Sequence, residues 1–205
     1  IVSSKREKIS VPKGKLMAVV AMDTLTKQRI SLKEYINGDT LYWNVPEGKW
    51  KVMFFTCVKD GSPLVDYLDP ESVKLFIKET HQAYYDRFAT YFGNVIIQTF
   101  FDEPTLYRGN GRIWTDKFNE KFIKYYGESP ELLYPALWYD IGPETESARN
   151  RLFGMRAILY AEGFMREIQK WAVSHGIYST GHQDQEEVLN PVSLSGDLML
   201  CGKYM

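Results

Sequence analysis

The sequence predicts an α/β fold: part of a TIM-type (β/α)8 barrel preceded by a short β-rich segment. Three observations carry this expectation. From residue 69 onward, helical periodicity alternates with short apolar runs, the order expected of parallel βαβ units. The run Val95 to Phe101 has almost no polar alternation, as a strand buried on both faces would have. Polar groups cluster just after the apolar runs, where parallel sheets gather functional side chains. A complete barrel takes roughly 250 residues, so within 205 residues it is expected to be incomplete. Residues 1–48 read as a β-rich lead-in or the end of an accessory β-domain. Residues 49–205 read as the N-terminal part of the barrel.

Each element has a local reason. "KLMAVVAMD" is a compact apolar strand run, and "TLYWNV" and "KWKVMFFTCV" are two more, separated by Pro46-Glu47-Gly48, a hairpin-type turn signal. Asp69 is a good N-cap, Pro70 suits the first helical position and Glu71 the first turn. Val73, Phe76, Ile77, Thr80, Tyr84 and Phe88 then recur at helical spacing until Gly93 supplies the stop. After the Val95 strand, a second helix is expected from about Trp114-Thr115, burying Phe118, Phe122 and Ile123. A proline-broken stretch follows, and then a long helix from Ser147 to His175, ended by Gly176. "IYSTGH" and "DLMLC" read as the next strands.

Composition narrows the classes of function. The chain is 44% hydrophobic, enough for a sizeable core, and 25 basic against 26 acidic side chains leave a net charge of −1. No basic excess points to nucleic acid, and no apolar segment is long enough to span a bilayer. Aromatics make up 15% of the chain, a level that suits sugar stacking as well as large cores and interfaces. Cys57 and Cys201 are too few for a zinc site or a disulfide framework, and two buried thiols are expected. The chain begins at Ile1 and stops after "DLMLCGKYM", which reads as a piece of a longer polypeptide.

Three run ends carry polar groups: Lys59-Asp60 with Asp66 soon after, Asp102-Glu103, and "TGHQDQEE" with His182, Asp184, Glu186 and Glu187. Glycosidic hydrolysis needs a carboxylic acid to protonate the leaving oxygen and a second carboxylate as nucleophile or base. The acid must hold its proton near neutral pH through desolvation or a neighbouring negative charge. Glu103, beside Asp102 and flanked by Phe100, Phe101 and Tyr107, fits that description. Pro104 is expected to restrict it to extended geometry. Against this stands a simpler reading, a solvated strand end in which Asp caps a turn. Tyr107 and Trp114 are the candidate stacking rings, or else loop packing. His182 is a substrate contact or a bond to a neighbouring strand end. Glu186 and Glu187 fit a catalytic partner or an exposed first helical turn, and Asp66 a rim residue or a turn. His81 and His175 sit within helices and read as structural.

"VDYLDPESVKLFIKETHQAYYDRFATYFGNVIIQTFFDEPTLY", "FIKYYG", "LYPALWYDIG" and "GIYSTGHQDQEE" resemble the barrel domain of large bacterial glycoside hydrolases from polysaccharide-degrading loci. The nearest of these are the inverting, calcium-dependent α-L-rhamnosidases. The likeness covers roughly residues 48 to 205, and "DEP" and "TGH" are its most specific pieces. It implies a (β/α)8 barrel, accessory β-sandwich domains, a secreted or periplasmic parent and a plant or host oligo- or polysaccharide substrate. It also implies Glu103 as general acid, with the second carboxylate in "HQDQEE" or beyond residue 205. Asp66, Asp102 and Glu187 are the expected contributors if Ca2+ is bound, although no ligand spacing selects them. The segment before the first long helix departs from the rhamnosidases. Two rivals remain: a non-catalytic carbohydrate-binding barrel or scaffold, and a metal-dependent hydrolase using His182 with Asp102 and Glu186. The single strand-end histidine argues against the second rival.

Overall fold

The structure is a computed structural model and describes residues 6–59, 61, 65–106, 112–185 and 196–205. The chain divides into two compact units, one of residues 1–60 with 116–152 and the other of residues 61–115 with 153–205.

The first unit is β-rich. Strands β1 (Arg6–Ser10), β4 (Ile36–Asn37) and β5 (Thr40–Asn44) form one sheet in the order β1-β5-β4. Strands β2 (Lys15–Asp23), β3 (Arg29–Ser31) and β6 (Trp50–Cys57) form another, in the order β3-β2-β6. All of these pairings are antiparallel. Val19, Ala21 and Trp50 from one sheet meet Leu41 and Trp43 from the other in a shared core. The Pro46-Glu47-Gly48 turn is therefore not a hairpin. It carries the chain from one sheet to the other, and Trp43 and Trp50 meet edge to face beside it at 5.6 Å.

Strand β2 is apolar on both faces because both are covered. Its second face meets α1 (Phe118–Tyr126) and the 3-10 segment Glu131–Leu137. Asn119 donates to the Met17 carbonyl at 2.7 Å, Tyr134 donates to Asn119 Oδ1 at 2.7 Å, and Phe55 packs on Tyr134. At the far end of β2, the Asp23 carboxylate accepts from Leu25 N, Thr26 N and Lys49 N. These bonds, that from Thr26 N foremost, hold the carboxyl below its ordinary pKa.

The second unit holds the helices and the parallel strands. Helix α2 (Pro70–Ile77) starts as expected, with Asp69 Oδ1 accepting from Glu71 N. A π-helical turn, Lys78–Gln82, links it to α3 (Ala83–Phe88). The long helix is likewise interrupted. Helix α4 (Thr145–Tyr160) passes through a π turn, Ala161–Met165, into α5 (Arg166–Ser174). Gly163 in that turn sits so close to the Tyr67 carbonyl that a Cβ would lie 2.6 Å from it. Strands β7 (Gln98–Asp102) and β8 (Tyr178–His182) pair in parallel.

The expected partial (β/α)8 barrel is not what the chain forms. Among the described residues there is no closed barrel: six strands pair antiparallel in two small sheets, and only β7 and β8 are parallel. "DLMLC", read as a third parallel strand, instead contributes to a short helix, α6 (Leu198–Gly202), with Asp197 capping Leu200 N at 3.0 Å. Short apolar runs do not distinguish strand from helix, and here the cap decides. The strand at 95–101 begins only at Gln98 and is not buried on both faces, since Val95, Ile97 and Phe100 are exposed.

Candidate functional site

The carboxyl ends of β7 and β8 bring two of the singled-out sequence pieces together. The register pairs Phe101 with Gly181 and Asp102 with His182. Side chains alternate across a strand. Thr99, Phe101, Ser179 and Gly181 therefore lie on the face where Phe101 meets Phe164 of the π turn. Gln98, Phe100, Asp102, Tyr178, Thr180 and His182 share the other face. Gly181 is a steric requirement of this pairing, since a Cβ there would stand 2.2 Å from the Phe101 carbonyl oxygen.

At the strand ends, His182 Nδ1 lies 3.4 Å from Asp102 Oδ1, with the two side chains 62% and 74% exposed. The Phe100 ring meets the imidazole edge to face at 5.1 Å. An exposed pair of this kind contributes between about 0 and 1 kcal/mol to stability. Its significance is therefore geometric.

Glu103 follows directly. Its N–H donates to the His182 carbonyl at 3.1 Å, carrying the ladder one residue beyond the strand. Pro104 is buried, and its carbonyl accepts from Tyr160 Oη at 2.7 Å. Between these two anchors Glu103 adopts φ +46°, not the extended geometry expected before proline. Left-handed backbone is uncommon outside glycine and, where the surroundings hold it, is concentrated at functional sites. The described chain has three such residues, Lys27, Glu103 and Gln185, and the last two lie just past the ends of β7 and β8. The Glu103 side chain is exposed, not desolvated.

The remaining candidates separate. Tyr107, Glu186 and Glu187 lie outside the described residues, as does Asp60. Trp114 is half-buried, and the guanidinium of Arg156 sits 5.9 Å from its ring. Asp66 is a turn residue: its carboxylate accepts from Leu68 N at 3.0 Å, and its N–H donates to Ser72 Oγ. Among the described residues no three His, Cys, Asp or Glu side chains converge as metal ligands. Cys201 is buried and its thiol is pushed up to about 12 by burial, whereas Cys57 is only half-buried.

Sequence reasoning missed two features. Arg156 is fully buried under Phe153 and Trp114, and burial, with Arg112 nearby, lowers its pKa to about 9. Nothing in a helical pattern marks a buried arginine. Phe100 and Tyr178, 55% and 74% exposed, share the outward face with Asp102 and His182. The period-two spacing of Gln98, Phe100 and Asp102 was the available signal.

No protein-family model and no curated protein matches the sequence. Among solved structures, the chain is similar to a rhamnosidase from Novosphingobium sp. PP1Y, with a TM-score of 0.60 and 18% identity over 86% of this chain. The match spans 18% of that protein's own chain. In backbone course, this chain is similar to one stretch of a much longer rhamnosidase.

Proposed function

We propose that the chain is part of a glycoside hydrolase that removes terminal sugars, with Glu103 as general acid. Asp102 and His182 position the reacting groups, Glu186 or Glu187 is the companion carboxylate, and Asp66, Tyr107 and Trp114 border the sugar. The observation that carries this reading is the in-register Asp102–His182 pair, with Glu103 pinned at φ +46° immediately beyond it. Parallel strands gather functional groups at this end, and the structural likeness to a rhamnosidase supports a glycoside as the substrate class. α-L-Rhamnosides are the first substrates to test.

In the intact protein, Glu103→Gln is expected to lower turnover of an unactivated glycoside by about two to four orders of magnitude, the usual worth of a general acid. The fold should be unchanged. Turnover near wild type would remove Glu103 from the acid role.

A second reading, saccharide binding without hydrolysis, is favoured by the exposure of Glu103, since a general acid needs desolvation or a close second carboxylate. Under that reading, sugar binding persists and neither the wild type nor Glu103→Gln turns over.

A further inference from the structure

Glu103 is bracketed by two fixed points. On one side its N–H donates to the His182 carbonyl at 3.1 Å, at the end of the β7–β8 ladder. On the other, the Pro104 carbonyl accepts from Tyr160 Oη at 2.7 Å. Peptide units are planar and the proline ring locks its own φ, so only φ and ψ of Glu103 and ψ of Pro104 are soft between these points. Fixing both ends leaves Glu103 little choice of backbone, and it takes φ +46°. A left-handed conformation outside glycine persists only where the surroundings over-determine it. The ladder bond is one that any continuing parallel pair would supply. The second bond is particular to this chain, because it comes from a side chain 56 residues further along.

Tyr160 is built as a rigid post. It ends helix α4, immediately before the π turn Ala161–Met165, and is 1% exposed. Its ring stacks parallel to that of Phe164, with centroids 6.1 Å apart, and meets the Tyr67 ring edge to face at 6.3 Å. Gly196 approaches so closely that a Cβ there would stand 2.8 Å from Tyr160 Cδ1. Burial raises the phenol pKa well above its ordinary value of 10, so the hydroxyl stays a donor. A ring locked by packing, with its one proton spent on a carbonyl, sets where that carbonyl lies. We propose that Tyr160 is the positioning residue of the strand-end site: through the Pro104 carbonyl it holds Glu103 left-handed and so fixes the direction in which its side chain leaves the backbone. The consequence for turnover rests on the reading of Glu103 as general acid, whereas the geometric part does not.

The test is Tyr160→Phe in the intact protein, which removes the hydroxyl and keeps the ring. Ile168→Val, which trims a buried apolar side chain in α5, is the control for lost stability alone. Amide hydrogen exchange at Glu103 should accelerate about fivefold or more in Tyr160→Phe, the worth of one hydrogen bond, beyond any change shared with the amides of α4 and α5. The Glu103 Cα and Cβ chemical shifts should move as well, and Ile168→Val should leave them in place. In turnover of the glycoside, Tyr160→Phe should lower kcat about tenfold or more with KM little changed. It should have almost no further effect in a Glu103→Gln background, because it acts through that residue. Exchange at Glu103 that rises only in step with the helices, unmoved Glu103 shifts, or an equal loss of kcat in the Glu103→Gln background would each overturn the proposal. A Glu103→Gln variant with wild-type turnover would instead remove the acid assignment, and the exchange and shift results would still decide whether Tyr160 holds the Glu103 backbone.

Discussion

At the scale of single residues, a few atoms decide the geometry of each site. Gly181 can be nothing larger, because a Cβ would overlap the Phe101 carbonyl that pairs the strands. Gly181→Ala is expected to cost about 1–3 kcal/mol, typical of overpacking, read as a lowered urea midpoint. Asp102→Asn should leave that midpoint unchanged, since its pair with His182 is largely solvated. With Asp102 positioning the reacting groups as proposed, the same substitution lowers turnover. His81 shows how hydrogen-bond bookkeeping fixes a tautomer. Thr80 Oγ1 spends its one proton on the Phe76 carbonyl at 2.6 Å, so the imidazole Nδ1, at 2.8 Å from the hydroxyl, is the donor. The ring is neutral and wedged between Phe76 and Trp171. Burial lowers its pKa from the ordinary 6.5. The unfolded chain then binds the proton more readily than the folded one. His81 therefore favours folding above pH 6.5, and that contribution declines as pH falls from 6.5 through the lower folded-state value. Urea midpoints measured from pH 8 to pH 5 should fall more steeply for wild type than for His81→Asn. Parallel curves would show that His81 is not the sensor.

At the scale of elements, the two long helices were legible from their caps, stops and apolar spacing, but their interruptions were not. Each contains a π turn, at Lys78–Gln82 and at Ala161–Met165. The second seats Gly163 against the backbone of Tyr67 and Leu68, where no side chain fits. Gly163→Ala would gain intrinsic helix propensity, yet it is expected to destabilise by about 1–3 kcal/mol through steric conflict. Thermal denaturation would settle the sign, and a raised Tm would mean the helix can slide without cost. Periodicity failed in another way along the first helix. Tyr84 and Phe88 fall on its apolar stripe, yet both are exposed, because the π turn changes the helical phase after Ile77. Residue spacing reports which side chains share a face only while the helix keeps one pitch.

At the scale of the whole molecule, the parallel pair is unusual in being only two strands wide. Parallel sheets ordinarily have both faces covered. Here Val95, Ile97, Phe100 and Tyr178 are all exposed, while β7 and β8 have no further strand partners among the described residues. Exposed apolar surface of this kind drives association. Phe100→Ser combined with Tyr178→Ser is expected to reduce both binding of a hydrophobic dye and concentration-dependent sedimentation. If neither changes, the patch does not drive association. Among the described residues no helix is long and apolar enough to cross a membrane.

The sequence by itself determined the local elements and the chemistry on offer. Asp69-Pro70-Glu71 starts a helix through its own hydrogen bonds and fixed dihedral. The turn glycines stop helices because only they adopt left-handed backbone cheaply, and "DEP" and "TGH" name the polar groups at the strand ends. These are effects of neighbours within a few residues. What only the tertiary structure decided was which strands pair and what surrounds each side chain. It routed Pro46-Glu47-Gly48 between sheets, limited the parallel sheet to two strands and left Glu103 in solvent. Those outcomes depend on packing between segments far apart in the chain, and the balance of buried area that selects them is not written in any local pattern.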